Sequence, residues 1–356
     1  MVKSLALISL PMALGALALA AVAAAQSDKP LETKELVVVS WGGSYQGFQR
    51  EAYFAPFAEA TGVEVLEDTG PQIDRSRAEV ESGKPSYDLT ATNQAFYQIG
   101  LANDLWVPID YSYFDSADLE AMPEEVRFSH GVGSIFYGEG MAISTDAVPK
   151  GVAPPSSWAD FWDLERFPGK RALPWCDVAT FPLPEAAMLS LGVDPDELYP
   201  IDMERAAQRL RAIYDDTIWW KDINQAGQLL VSGEASMAMA PSGRIQKLIN
   251  DGASIKIIWD QARYTFDVWY VLKGSPNPDN AMRFIAFASK PEQQATMARI
   301  GGYAPTNPRA LELLDDAAAK KLPTHPENFA VQFQKNEDWW RENRSEWVKI
   351  CSQALL

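Results

Sequence analysis

VVVSWGGSYQGFQREAYFAPFAEATGVEV, residues 37–65, is the stretch on which the fold turns. The β-branched run at 36–39 is of the kind buried in parallel sheets. After two glycines, a helical stripe runs from about residue 44 to 60, with Phe48, Ala52 and Ala55 on one face and Tyr53 and Phe57 four apart beside it. Gly62 supplies a C-cap, and residues 63–66 read as the next strand. Strand, helix, strand is the unit of an open parallel sheet. The glycine turn WGGSY, residues 41–45, therefore falls at the carboxyl end of a strand, where open α/β sheets bind their ligands.

Working outward, the pattern repeats with variations. Periodicity and stop signals predict helices at 73–82, 95–102, 158–164, 184–191, 202–215, 278–288 and 291–300, with an α/β element of unassigned type at 226–232. Strands are predicted at 87–91, 138–144, 171–174, 255–259 and 268–272, with a further α/β element at 235–240. The strand at 138–144 leaves the first region, and the proline-rich turn at 153–156 opens a second. The tail from 328 to 356, rich in tryptophan and charge, reads as helices packed across the outside.

The 356-residue chain opens on a secretory signal: Lys3, an apolar stretch at 5–20, and Ala23-Ala24-Ala25 before Gln26, with cleavage expected after Ala25. An uncleaved anchor is the alternative. About 331 residues remain, enough for two domains of about 150 each. Loss of Lys3 takes the formal charge from −17 to −18, which opposes nucleic acid and anionic membranes, and which the solubility of an exported protein explains equally well. Cys176 and Cys351 are either joined, as an even pair outside the cytosol usually is, or two separate buried thiols. His130 and His325 lack metal-ligand spacing and no G-x-S-x-G elbow occurs, so no metal, cofactor or catalytic residue is assigned. A hydrolase built on paired carboxylates is the remote alternative. Twelve tryptophans raise sugar stacking as a rival, but Trp158 and Trp162 are four apart on a helix and Trp339, Trp340 and Trp347 lie in the tail, a packing pattern.

Several collinear stretches resemble one family: residues 37–65 with ESGKPSYDL, PIDYS, PSSWADFWDLERFPGKRAL, QLLVSGEASMAMAPSGR, YTFDVWYVLKGSPNPDNAMRFIAFASKPEQQ and GGYAPTNPRA. Together they resemble the solute-binding proteins of bacterial ABC importers, in the branch that includes spermidine- and putrescine-binding proteins. The resemblance implies an α/β, two-lobe periplasmic binding protein fold of type II, with discontinuous lobes, a hinge and a ligand cleft. Lobe 1 would comprise 33–137 with 265–310, and lobe 2 would comprise 138–264 with 311–356 and its C-terminal helices. It further implies a non-enzymatic periplasmic monomer that hands an amine-bearing solute such as putrescine or spermidine to an inner-membrane ABC permease.

The same resemblance names the candidate ligand residues. Trp41 stands where polyamine-binding relatives present an aromatic; an indole face offers a methylene chain apolar contact and an ammonium a cation–π attraction. Ser44 and Tyr45 begin the helix, where Ser44 is alternatively the N-cap. Asp267 matches the carboxylate that pairs with an amine and Tyr303 a ligand-lining aromatic, the alternatives being a solvated surface acid and a core tyrosine, and Asn93 joins the set. Pro241-Ser242-Gly243-Arg244 departs from the tryptophan-containing motif of polyamine binders, and Arg244 is either a partner in an interlobe or surface salt bridge or a cleft guanidinium that would pair with a carboxylate and repel a polyamine. Asp177 and Glu185 are acids of the second lobe placed only by proximity. Backbone N–H groups at the WGGSY helix start also favour an anion, so an ω-amino acid, which carries both charges, is the alternative ligand.

Overall fold

The computed structural model describes residues 33–178 and 181–356; the expected signal segment and its cleavage site lie outside them. The strands are β1 (Glu35–Ser40), β2 (Glu64–Thr69), β3 (Leu89–Asn93), β4 (Val132–Ser144), β5 (Arg171–Pro174), β6 (Thr217–Trp220), β7 (Met237–Pro241), β8 (Ile255–Val271), β9 (Ala304–Pro305) and β10 (Phe333–Gln334). The order β2-β1-β3 is parallel, and so is β7-β5-β6. Between these two parallel sets run β4 and β8, antiparallel to each other along nearly their whole length. The N-terminal half of β4 and the C-terminal half of β8 serve the first set, and their other halves serve the second.

Side chains divide the same way. One hydrophobic cluster gathers Leu36, Phe57, Tyr97, Trp106, Trp269 and Phe284; a second gathers Trp158, Phe161, Leu173, Trp220, Leu230 and Trp347. Ile135 and Val268 belong to the first cluster, whereas Met141 and Ile258, on the same two strands, belong to the second. The chain is therefore two α/β lobes, each assembled from early and late segments. Leu314 and Leu322 pack with the first cluster, and Phe333, Trp340 and Leu355 with the second.

Two expectations need correction. The strand predicted at 138–144 begins six residues earlier, at Val132, and the two short strands at 255–259 and 268–272 are one strand of 17 residues. Polar residues interrupt the apolar pattern between them, yet Arg263 and Asp267 are buried and partnered, so polarity there marks an interior site. Regular pairing does fail once at the lobe junction. Glu139 faces Arg263 and Met141 faces Ile258, leaving four residues of β8 opposite Gly140. Gln261 within that bulge has φ 57°, and a Cβ on Gly140 would lie 2.7 Å from that of Ala262.

The helix after WGGSY runs from 43 to 61 and includes a π-helical stretch, Arg50–Phe54, directly before Ala55–Thr61. Pro56 in that first turn lacks the N–H that would continue the regular ladder. At the other end of the chain, the helix Glu337–Leu355 buries Trp340, Trp347, Cys351 and Leu355 along one stripe and packs on Met203–Arg211. A disulfide joins Cys176 to Cys351, resolving the two alternatives left by the sequence.

Candidate ligand cleft

The carboxyl ends of β1 and β3 and the crossing strands meet segments of the second lobe around a cavity of about 570 Å³. From the first lobe come Trp41, Tyr45, Asn93, Phe96, Asp267 and Tyr303; from the second come Asp177, Phe181, Lys221, Asp222, Arg244 and Arg344. Tyr137 and Glu139 of β4 line the floor between them.

Asp267 is the centre of the first-lobe wall. It is 4 % exposed, and β3–β8 pairing sets it directly opposite Asn93. Tyr137 donates its hydroxyl hydrogen to the Asp267 carboxylate at 3.0 Å, and the Trp41 side chain donates to it as well. Burial nonetheless pushes this carboxyl up to about 7, because two neutral donors replace bulk water only in part and the nearby Glu139 opposes ionisation. Among the described residues Asp267 makes no ion pair within 4 Å. Trp41 thus both presents its ring to the cavity and orients the carboxylate.

Tyr45 and Tyr303 meet edge to face at 5.2 Å, and Tyr303 also meets Tyr137 at 6.4 Å. Burial holds the Tyr303 phenol neutral, its pKa pushed up to about 12 although Arg244 works in the opposite direction. The aromatic wall is sealed against the second lobe through glycine: a Cβ on Gly243 would fall 2.2 Å from the Tyr303 ring. Only glycine lets the helix Ser242–Asn250 lie that close.

Arg244, on that helix, is 8 % exposed. Its guanidinium donates to the Asn224 side-chain oxygen and, among the described residues, no carboxylate lies within 4 Å of it. The same pair reaches WGGSY: a Cβ on Gly43 would be 3.0 Å from both the Arg244 Nη1 and the Asn224 Oδ1. Gly43 has φ 60°. The turn is therefore where the two lobes touch.

The other candidates are placed as follows. Asn93 lines the cavity, but its Oδ1 accepts from the Phe96 N–H as the N-cap of the following helix, which leaves its amide hydrogens for a ligand. Ser44 neither lines the cavity nor caps the helix; Gly42 is the N-cap, and no side chain caps there. Gln46 reaches back to accept from the Gly42 N–H at 3.1 Å, so the turn satisfies part of its own helix start from within the lobe. Asp177 is exposed at the cavity rim, 3.9 Å from Lys221. Glu185 is buried inside the second lobe, away from the cavity, accepting from Tyr199 and Trp340 at 2.7 Å each. Glu139 pairs with Arg263 below the floor; burial alone would lower the guanidinium, but Glu139, Glu337 and Glu185 outweigh it.

Sequence reasoning missed Tyr137, Lys221 and Arg344. Tyr137 sits in a glycine-rich run with no strand alternation, and the others are charges in segments that read as solvated. Only the position of Tyr137 beside the expected crossing at 138 could have pointed to it.

A cleft between two lobes that share crossing strands, with charged and aromatic groups supplied from both sides, defines a binding protein that closes on a small solute. The chain belongs to the bacterial extracellular solute-binding protein family, whose profile matches residues 52–327. It is 31 % identical over 345 residues to the gamma-aminobutyric acid-binding protein of Pseudomonas aeruginosa, covering 94 % of this chain and 93 % of that one. A binding protein of A. tumefaciens R10 solved with agropinic acid is 35 % identical, with a TM-score of 0.80 over 90 % of this chain and 99 % of that one. A solved GABA receptor is 32 % identical, with a TM-score of 0.78 over 90 % and 98 %. The family works with ABC permeases and is not enzymatic.

Proposed function

We propose that this protein captures a small zwitterion carrying one amine and one carboxylate, an ω-amino acid of the 4-aminobutyrate kind, in the periplasm, and delivers it as a monomer to an inner-membrane ABC permease. One observation carries the reading: among the described residues, a buried carboxylate without a cationic partner, Asp267, on one lobe, and a buried guanidinium without a carboxylate, Arg244, on the other, both lining one cavity. Each buried charge is costly unless paired. A ligand with both charges satisfies the two at once and, because they belong to different lobes, holds the closed form. The 4-aminobutyrate-binding relative and GABA receptor support the same ligand class.

A polyamine fits this cleft less well. Its second ammonium would face Arg244 where a polyamine site needs a second carboxylate. The cavity volume favours a second reading within the same class, larger amino-acid conjugates with a free carboxylate, in keeping with the relative solved with agropinic acid.

Thermal-shift and calorimetric titration against 4-aminobutyrate, 5-aminovalerate, agropinic acid, putrescine, spermidine and glucose tests the proposal. A ligand at a hundred times its dissociation constant stabilises by about 2.7 kcal/mol. Stabilisation by one of the first three and none by the polyamines is expected. Stabilisation by putrescine alone would restore the polyamine reading, and by glucose alone would overturn both.

A further inference from the structure

Arg344 is a second guanidinium in the cleft wall. It lines the cavity, is half-buried, and has neither a carboxylate within 4 Å nor a hydrogen-bond partner among the described residues. An arginine on a helix of 19 residues with open solvent on its other face has no need to turn inward. Its place on the helix explains why it does. Residues 340, 344, 347, 351 and 355 form one stripe, and the other four are buried apolar anchors.

Two of those anchors hold the helix by bonds as well as by packing. Four residues before Arg344, the Trp340 indole N–H donates to Glu185 at 2.7 Å, and Glu185 is fixed in turn by the Tyr199 hydroxyl. Seven residues after it, two turns and about 10 Å along the axis, Cys351 is bonded to Cys176. Cys176 directly precedes Asp177 and Val178, which line the cavity. The disulfide thus ties the arginine's helix to the cavity wall itself. The helix also comes beside the Gln94–Ala102 helix of the first lobe, placing this wall at the closing edge. Burial lowers the pKa of the unpaired guanidinium, the mark of a charge whose counter-ion is missing.

We infer that Arg344 binds the carboxylate end of the ligand together with Arg244, and that the Cys176–Cys351 bond is a positioning device that holds it there. The inference rests on the zwitterion reading above. A fixed guanidinium fork binds a carboxylate well only when its helix does not drift, which is what an anchor on either side supplies.

The experiment is calorimetric titration of 4-aminobutyrate and of agropinic acid into the mature oxidised protein, R344Q, R344K, C176S/C351S and the triple variant, with melting curves for each. R344Q is expected to weaken the tighter of the two ligands by about thirtyfold or more. R344K, which keeps the charge and loses the fork, should fall between R344Q and wild type. Removing the disulfide should cost about fivefold in the wild-type background and nothing further in R344Q. R344Q or R344K binding as tightly as wild type overturns the role of the arginine. A disulfide effect undiminished in R344Q overturns the positioning claim. Wild-type protein that binds neither ligand overturns the zwitterion reading, a failure visible before any variant is made.

Discussion

The Tyr137 hydroxyl donates to the Asp267 carboxylate at 3.0 Å across the β4–β8 pair, and this bond orients the carboxylate on the first-lobe wall of the cavity. Tyr137 comes from one crossing strand and Asp267 from the other, so the group proposed to bind the amine is set by the same two strands that link the lobes.

Asp267→Asn keeps the shape and the bond from Tyr137 but removes the charge. Affinity for an amine-bearing ligand should fall by about 2 kcal/mol, on the order of thirtyfold. Because the buried carboxylate is costly when unliganded, the melting temperature of the free variant at pH 8 should not fall. Calorimetry and a melting curve check both, and a parallel loss of stability and affinity would assign Asp267 to the core instead.

Acidity should move stability and affinity in opposite directions. Asp267 is pushed up to about 7 by burial, and Glu139 is pushed up to about 7 by burial despite Arg263, against about 4 for such groups in an unfolded chain. Between about pH 4 and 7 the native protein therefore holds more protons than the unfolded one, so this contribution to stability is full below 4 and is lost as pH rises through 7. Affinity for an ammonium rises over the same upper range as Asp267 ionises. Melting curves and titrations from pH 5 to 8 should show opposite slopes, with the affinity slope abolished and the stability slope reduced in Asp267→Asn.

Gly43→Ala places a methyl in a left-handed backbone position, at 3.0 Å from both Arg244 and Asn224. The backbone term is about 1–2 kcal/mol. The contact across the lobes adds a penalty only in the closed form, so affinity should drop about tenfold beyond what the stability loss predicts. Small-angle scattering with saturating ligand should report a more open average shape; unchanged closure would remove this turn from the closing contact.

Ser44→Ala should change little. The side chain caps nothing and lines nothing, so stability should stay within about 0.5 kcal/mol and ligand affinity within error. A large affinity loss would place Ser44 in the site after all.

Loss of the disulfide should lower stability by about 2–5 kcal/mol, at the upper end because the closed loop is long, with a sequence separation of 175. Chemical denaturation with and without reductant measures it directly.

The fold was legible where residues obey a period. The 43–61 helix, the Arg171–Pro174 strand and the Pro278–Ala288 helix follow from apolar spacing and proline starts. It was illegible where tertiary structure overrides pattern: β8 is one strand because buried polar residues at 263 and 267 find partners in β4 and in the cavity, which no local rule supplies. Trp41, Asp267 and Tyr303 were picked by resemblance, Tyr45 by its place at the helix start, Arg244 by a departure from the family motif, and Asn93 joined them; all six reach the cavity wall. Ser44 was picked with them and does not, because the helix begins two residues earlier than a serine cap would require. Arg344 was invisible because its stripe is defined by a disulfide partner 175 residues away from Cys351.

The crossing strands also set an order of events as the chain emerges. β3 pairs with β8, Asn93 against Asp267, so the first sheet lacks a neighbour until the chain is three-quarters made. A nascent fragment ending before residue 255 leaves the β8-facing edges of β3 and β4 without their partner, each ready to recruit a foreign strand. The earliest vulnerability of such a chain to aggregation lies in the gap that is later filled by the strand carrying Asp267.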